Sequence, residues 1–203
     1  MAIVLYHCKG ARSLRPVWTL EEMGIDYQLE VMPFPPRALQ KGYLDINPLG
    51  TVPCMTDGDV FMTESTGICH YLVETYGPTP LRVDPSDPEY GAYLNWLYHS
   101  DATLTFPQTI FLRYSRLEPE ERRIPQAAED YRRWFLSRTR LVEAATADRE
   151  FLCCGRFTIA DIAVGYALKL ATSLGIADGF RENTARYWEG LQKLPSYQKI
   201  AEV

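Results

Sequence analysis

Cys8 stands between His7 and Lys9. Basic neighbours depress the pKa of a thiol because positive charge favours the thiolate, which is the nucleophilic form. This position is therefore a candidate for thiol–disulfide exchange. The fourth position of that segment is Ala11 rather than a resolving cysteine, so such exchange would follow a monothiol route. Arg12 and Ser13 come next, just ahead of Val17, Leu20 and Met23 at helical spacing. A hydroxyl and an N–H at a helix start can both donate to an anion, and a permanent cation nearby lowers a thiol pKa. Ser13 is equally suited to cap that helix. A second helix start is marked by Thr63-Glu64-Ser65-Thr66. Helix N-termini offer N–H groups and the positive end of the dipole, which makes them seats for a carboxylate. Ser65 would add a hydroxyl there, unless Thr63 or Ser65 only caps the helix.

Other chemistries are not indicated. The five cysteines, Cys8, Cys54, Cys69, Cys153 and Cys154, are an odd number without a CxxC pair, and His7, His70 and His99 lie far apart in sequence. Neither a disulfide framework nor a metal centre is expected. The 21 Lys and Arg residues against 26 Asp and Glu give a net charge of −5, the wrong sign for a protein that grips phosphate backbones. Between residues 116 and 149 eight arginines meet seven acids, a balance that reads as a salt-bridged solvated face. No stretch approaches the roughly 20 apolar residues that span a bilayer, and the chain begins without a signal-peptide profile. No membrane partner and a cytoplasmic location are expected.

The elements that must position these residues can be traced along the chain. With 203 residues and 46% hydrophobic content, a compact single domain or a small-plus-large pair is expected. Residues 2–6 form an apolar strand candidate, residues 7–11 a polar bend, and the helix that follows ends at Gly24. Residues 26–32 alternate like a second strand, completing a βαβ unit whose strands run parallel. A weak helix over 37–45 precedes the turn Asn47-Pro48-Leu49-Gly50. Strands over 51–55 and 60–62 flank Thr56-Asp57-Gly58-Asp59, a hairpin signal, and a helix covers 64–76. Four prolines between residues 77 and 88 mark a linker. The expected division is a domain over 1–77, a linker over 78–88 and an all-helical domain over 89–203, with helices at 89–114, 124–147, 159–173 and 183–194. Phe157-Thr158-Ile159-Ala160-Asp161 contains a capping box that starts a buried helix.

This arrangement, an α/β domain of order β-α-β-α-β-β-α followed by an all-α helical bundle, resembles the cytosolic glutathione transferase superfamily with its thioredoxin-like first domain. Asn47-Pro48-Leu49-Gly50-Thr51-Val52-Pro53 matches the family signature N-P-x-G-x-V-P, Glu64-Ser65 its E-S pair, and the Thr158 box its folding element. The resemblance implies a cis Val52–Pro53 bond whose turn lets the backbone of Val52 pair with the cysteinyl group of glutathione. Only X-Pro bonds take the cis form at modest cost, and a strand-like backbone pairing would result; an ordinary trans proline at a strand start is the plain alternative. It also implies that Ser65 binds the γ-glutamyl carboxylate and Glu64 the ammonium. Residues 6–16 superimpose without a gap on the bacterial beta-like pattern Y-x-x-P-G-A-C-S-L-x-P. Arg12 then occupies the place of the beta-class cysteine, so the residue that forms a mixed disulfide is missing, and Ser13 matches the following serine.

The implied activity is a detoxifying transfer in which glutathione, as cosubstrate, is held until its thiol ionises and attacks a small hydrophobic electrophile. Ser13 is the first choice as the activating residue, with Arg12 or backbone N–H groups as the second. An acceptor pocket between the domains is implied as well. Tyr6 and Phe34 from the first domain and Tyr98, Phe106, Phe111 and Tyr114 from the second are candidate walls, although aromatic stripes at helical spacing more often form core. Asp101 resembles an acidic residue that some members extend toward glutathione across a symmetric homodimer interface; a plain surface charge is the equal alternative. Two other functions stay open: a glutathione-dependent thiol–disulfide exchanger or deglutathionylase that uses Cys8, and a non-catalytic ligand- or protein-binding module of the same fold.

Overall fold

Alternation of apolar residues starts the chain as a strand, β1 (Ile3–His7), with Ile3, Leu5 and His7 buried and Val4 and Tyr6 half-buried. In the computed structural model, which describes residues 2–201, helix α1 (Leu14–Met23) follows. Then come β2 (Tyr27–Val31), the short helices α2 (Pro36–Leu39) and α3 (Tyr43–Ile46), β3 (Cys54–Asp57), β4 (Val60–Met62) and α4 (Ser65–Thr75). The strands lie in the order β2-β1-β3-β4, with β1 and β2 parallel and the other two pairs antiparallel. This is a thioredoxin-like sheet, and its βαβ start obeys the crossover rule.

Local chemistry moves several boundaries. The expected helix over 37–45 is two single turns, because Gly42 at φ 79 interrupts it with a left-handed residue. Strand β3 begins at Cys54 and not near Thr51: the preceding residues are engaged in a turn, and Pro53 has no N–H to give to a ladder. The hairpin closes with Gly58-Asp59 between the paired residues Asp57 and Val60, Gly58 at φ 59 supplying the positive φ that a two-residue loop needs. Helix α1 starts at Leu14, ahead of its first periodic residue, since Pro16 is tolerated within a first turn. Every residue from Leu14 to Leu20 is buried.

The chain separates into two compact units, one of residues up to Arg82 joined by those from Lys193 on, the other Val83–Gln192. The contribution from beyond Lys193 is a helix, α11 (Pro195–Ile200), which packs on α1. Trp18 Nε1 donates to Ser196 Oγ at 2.9 Å, and the Trp18 and Tyr197 rings lie 5.0 Å apart.

The second unit is all helical: α5 (Tyr90–Tyr98), α6 (Phe106–Leu112), α7 (Pro125–Arg138), α8 (Arg140–Ala145), α9 (Ile159–Leu174) and α10 (Glu182–Gln192). The expected helix over 89–114 is broken by π turns at His99–Thr105 and Arg113–Leu117. The core helix is α9, and its capping box is present. Thr158 Oγ1 accepts from the Ala160 N–H at 3.2 Å, and Asp161 Oδ2 accepts from the Thr158 N–H at 2.9 Å. Asp161 Oδ1 also accepts from the Leu152 N–H at 3.0 Å and from Tyr187 Oη at 2.9 Å. Burial pushes this carboxyl up to about 6, against the donors that favour its ionised form. The arginine-rich stretch is paired across the surface: Arg122 meets Glu118, and Arg132 and Arg133 meet Glu129. Among the described residues no helix is long and apolar enough to cross a membrane.

Candidate functional site

The antiparallel register sets Tyr6 opposite Cys54 and Met55 opposite Met62. The end of β1, the start of β3 and the end of β4 therefore share one end of the sheet. The loop after β1, the turn before β3 and the N-terminus of α4 are gathered there.

The turn is built around Asn47, which is buried. Its Nδ2 donates to the Thr51 carbonyl at 2.8 Å and its Oδ1 accepts from the Leu49 N–H at 3.1 Å. Tyr43 Oη donates to the same Thr51 carbonyl at 2.6 Å. With that carbonyl held from two sides, the peptide leading into Val52 has a set direction. Gly50 adopts φ 61, and a Cβ there would stand 2.5 Å from Arg37 Cβ, so no larger residue fits. Val52–Pro53 is cis, as the resemblance implied, with Val52 half-buried and Pro53 buried.

At the start of α4, Glu64 is the extended residue that opens the helix, and no side chain caps it. The capping role open to Thr63 or Ser65 is not used. Glu64 is exposed and Ser65 is buried. Ser65 Oγ accepts a 2.9 Å hydrogen bond from Nη1 of Arg15, a residue that is itself fully buried. Arg15 is absent from the reading of the sequence above. The available signal was one charged residue inside Leu14-Arg15-Pro16-Val17-Trp18-Thr19-Leu20, since a charge enclosed in apolar surroundings needs a partner.

The first loop differs from its sequence-based expectation. Cys8 is fully buried and packs with Met32, Tyr43 and Cys54, its Sγ 3.6 Å from the Pro33 carbonyl. Burial pushes the thiol up, the reverse of the depression expected from its basic neighbours: His7 is buried with it and Lys9 is exposed. A neutral thiol in an apolar cluster is a small hydrophobe and not a nucleophile. Ser13 is also fully buried. It occupies the N-cap position of α1 without a capping bond from its side chain, and its Oγ accepts instead from the Cys8 N–H at 3.4 Å. The hydroxyl proposed to activate a ligand thiol thus braces the loop. Arg12, beside it, is half-buried.

Of the candidate pocket walls, Tyr6 is half-buried on the Cys8 cluster, its ring 5.7 Å from that of Tyr43. Burial first, then Cys54 and Glu30, push its phenol up. Phe34 is 54% exposed. In the helical unit, Phe106 is exposed and meets Tyr131 edge-on at 6.5 Å. Phe111 and Tyr114 are half-buried, with the Arg113 guanidinium 5.6 Å from the Tyr114 ring centre. Tyr98 is exposed, and Asp101 is half-buried within the first π turn. Among the described residues no cluster of His, Cys, Asp and Glu has the composition of a metal site.

Residues 11–75 match the family described as glutathione S-transferase, N-terminal domain. Glutathione S-transferase 3 of Schizosaccharomyces pombe is 35% identical over 102 residues, which are 50% of this chain and 42% of that relative. This match therefore spans less than half of the relative's length. Glutathione S-transferase GstA of Escherichia coli O157:H7 is 25% identical over 201 residues, covering 96% of this chain and 94% of GstA. Among solved structures, the glutathione transferase URE2P6 from Phanerochaete chrysosporium in complex with oxidized glutathione is 26% identical, with a TM-score of 0.82 over 98% of this chain and 94% of that one. Residues 11–75 thus carry the N-terminal domain of the glutathione S-transferase family, and the β2-β1-β3-β4 sheet with the helical second unit agrees with the likeness to solved glutathione transferases over nearly the whole chain.

Proposed function

We propose that this protein binds glutathione, stabilises its thiolate and transfers it to a small hydrophobic electrophile. The observation that carries the reading is the meeting of the cis Val52–Pro53 turn and the Glu64–Ser65 helix start at one end of the sheet. In this reading the main chain of Val52 pairs with the cysteinyl residue of glutathione, as an added strand pairs with an open edge. The N–H groups at the start of α4 and the Ser65 hydroxyl take the γ-glutamyl carboxylate, and the exposed Glu64 takes the ammonium. That URE2P6 has been solved with oxidized glutathione supports the choice of ligand.

The thiol then lies at the loop before α1. Because the Ser13 hydroxyl is buried and engaged by the Cys8 N–H, Arg12 is the better source of thiolate stabilisation: a guanidinium stays charged at any working pH and favours the anion. The thiolate sulfur forms a bond to the electrophilic carbon, and the leaving group departs with its electron pair. Acceptor recognition by Phe34, Phe106, Phe111 and Tyr114, a contribution of Asp101, a cytoplasmic site of action and a symmetric homodimer all belong to the same proposal. The buried, neutral Cys8 places thiol–disulfide exchange behind it.

Calorimetry with reduced glutathione tests the reading. Ser65→Ala and Glu64→Ala should each weaken binding by about 1.5 to 3 kcal/mol, the usual worth of a hydrogen bond to a charged group. Absence of binding by the unmodified protein at millimolar glutathione would overturn it.

A further inference from the structure

An arginine enclosed on all sides needs an account, because burying a permanent charge is costly unless it is hydrogen-bonded. Arg15 lies on α1 with no exposed surface, and its Nη1 reaches across to Ser65 Oγ at the first residue of α4, 2.9 Å away. A guanidinium can only donate. The Ser65 oxygen is therefore the acceptor in this contact, and the hydrogen of its own hydroxyl is turned away from Arg15. Among the described residues no acceptor takes that hydrogen. The hydroxyl is thus left as an oriented donor, polarised by a fixed cation behind it, at a helix terminus whose dipole already favours a negative charge.

We propose that Arg15 is a positioning residue for the anionic end of the ligand: it orients and polarises the Ser65 hydroxyl so that the seat at α4 selects an ionised carboxylate over a neutral group of the same shape. The inference rests on the reading of this site as the γ-glutamyl seat of glutathione. Arg15 does not touch the ligand. Its effect passes through Ser65, so the two residues must be energetically coupled in carboxylate binding.

The test compares calorimetric affinities of the full chain for S-hexylglutathione and for its analogue in which the γ-glutamyl α-carboxylate is a carboxamide. Four proteins are needed: the unmodified chain, Ser65→Ala, Arg15→Met and the double variant, with urea midpoints measured beside them. The unmodified protein should prefer the carboxylate by about ten- to a hundredfold, the range expected when a charged hydrogen bond is lost. In folded Arg15→Met most of that preference should vanish, and Ser65→Ala should then cost little more. Arg15→Lys should recover part of the preference, since it returns the cation without the planar fork. Equal preference in folded Arg15→Met and the unmodified chain, or strictly additive single effects, would overturn the proposal.

Should neither Arg15 variant fold, the guanidinium nitrogen resonances of Arg15, labelled with 15N in the unmodified chain, decide the matter. Addition of S-hexylglutathione should shift them, and in Ser65→Ala the shift should be lost; an identical shift, or none in either protein, refutes the coupling. Failure of the unmodified chain to bind S-hexylglutathione at all is a different result, which removes the glutathione reading itself.

Discussion

Arg12 and Ser13 are adjacent in the chain and opposite in circumstance, one half-buried and the other enclosed with its oxygen on the Cys8 N–H. Arg12→Ala should raise the pKa of bound glutathione by about one unit, the size of effect that a nearby cation exerts. The sign follows from the charge: without the cation the thiolate is less favoured, so conjugation slows at neutral pH and recovers in alkali. Ser13→Ala should leave that pKa in place and lower stability by about 1 kcal/mol, the usual worth of one hydrogen bond. Thiolate absorbance against pH and urea titration separate the two outcomes. Cys8, its thiol pushed up by burial, should resist iodoacetamide at pH 7.5 in the folded protein and react once urea is added; prompt labelling of folded protein would count against its enclosure. The contrast also marks what could be read from the residues alone. The turn ending in Val52–Pro53 and the Glu64–Ser65 pair are local patterns, whose meaning lies within a few residues. Depth is not local, and neither the enclosure of Cys8 and Ser13 nor the pairing of Arg15 with a residue 50 positions away leaves a mark in spacing.

Among the elements, long periodic helices were legible and short ones were not. Helix α9 follows from its apolar run and capping box, while α2 and α3, of four residues each, are shaped by Gly42 and the neighbouring turn and have little periodicity to show. The π turns of the α5–α6 passage likewise leave its apolar pattern nearly unchanged while altering its hydrogen bonds. In α9 the cap does more than begin a helix, since Asp161 also ties down Leu152 and Tyr187. Asp161→Ala leaves these buried donors without an acceptor, at about 1 to 3 kcal/mol for each buried group left unsatisfied; a loss of about 3 kcal/mol or more should appear in urea unfolding. A pH dependence accompanies it. The folded carboxyl titrates near 6 and its ordinary value is 3.8, so the folded state holds a proton that the unfolded chain releases. That stabilisation is full below pH 3.8 and is lost as pH rises through about 6. Asp161→Asn should lack this part of the pH profile.

For the molecule as a whole, the thioredoxin-like unit is completed by a helix that lies far along the chain. Removing residues from Lys193 onward strips Tyr197 and Ile200, both buried, from the face of α1. At about 1.5 to 3 kcal/mol for each buried side chain, the truncated protein should lose about 3 to 6 kcal/mol. The emission of Trp18, isolated by comparison with Trp18→Phe, should move to longer wavelength. Unchanged emission and an unchanged urea midpoint would show that α11 contributes nothing to the unit. The same return of the chain has a meaning for the nascent polypeptide. Residues 83–192 form one contiguous unit, whereas the unit that begins the chain receives its last helix only after all of them have been translated. At roughly 5 to 20 residues per second, the face of α1 around Trp18 leaves the ribosome and waits about 9 to 36 seconds for its cover. For that interval it is an apolar surface suited to a chaperone, and the helical unit, though second in sequence, is the first that can finish folding.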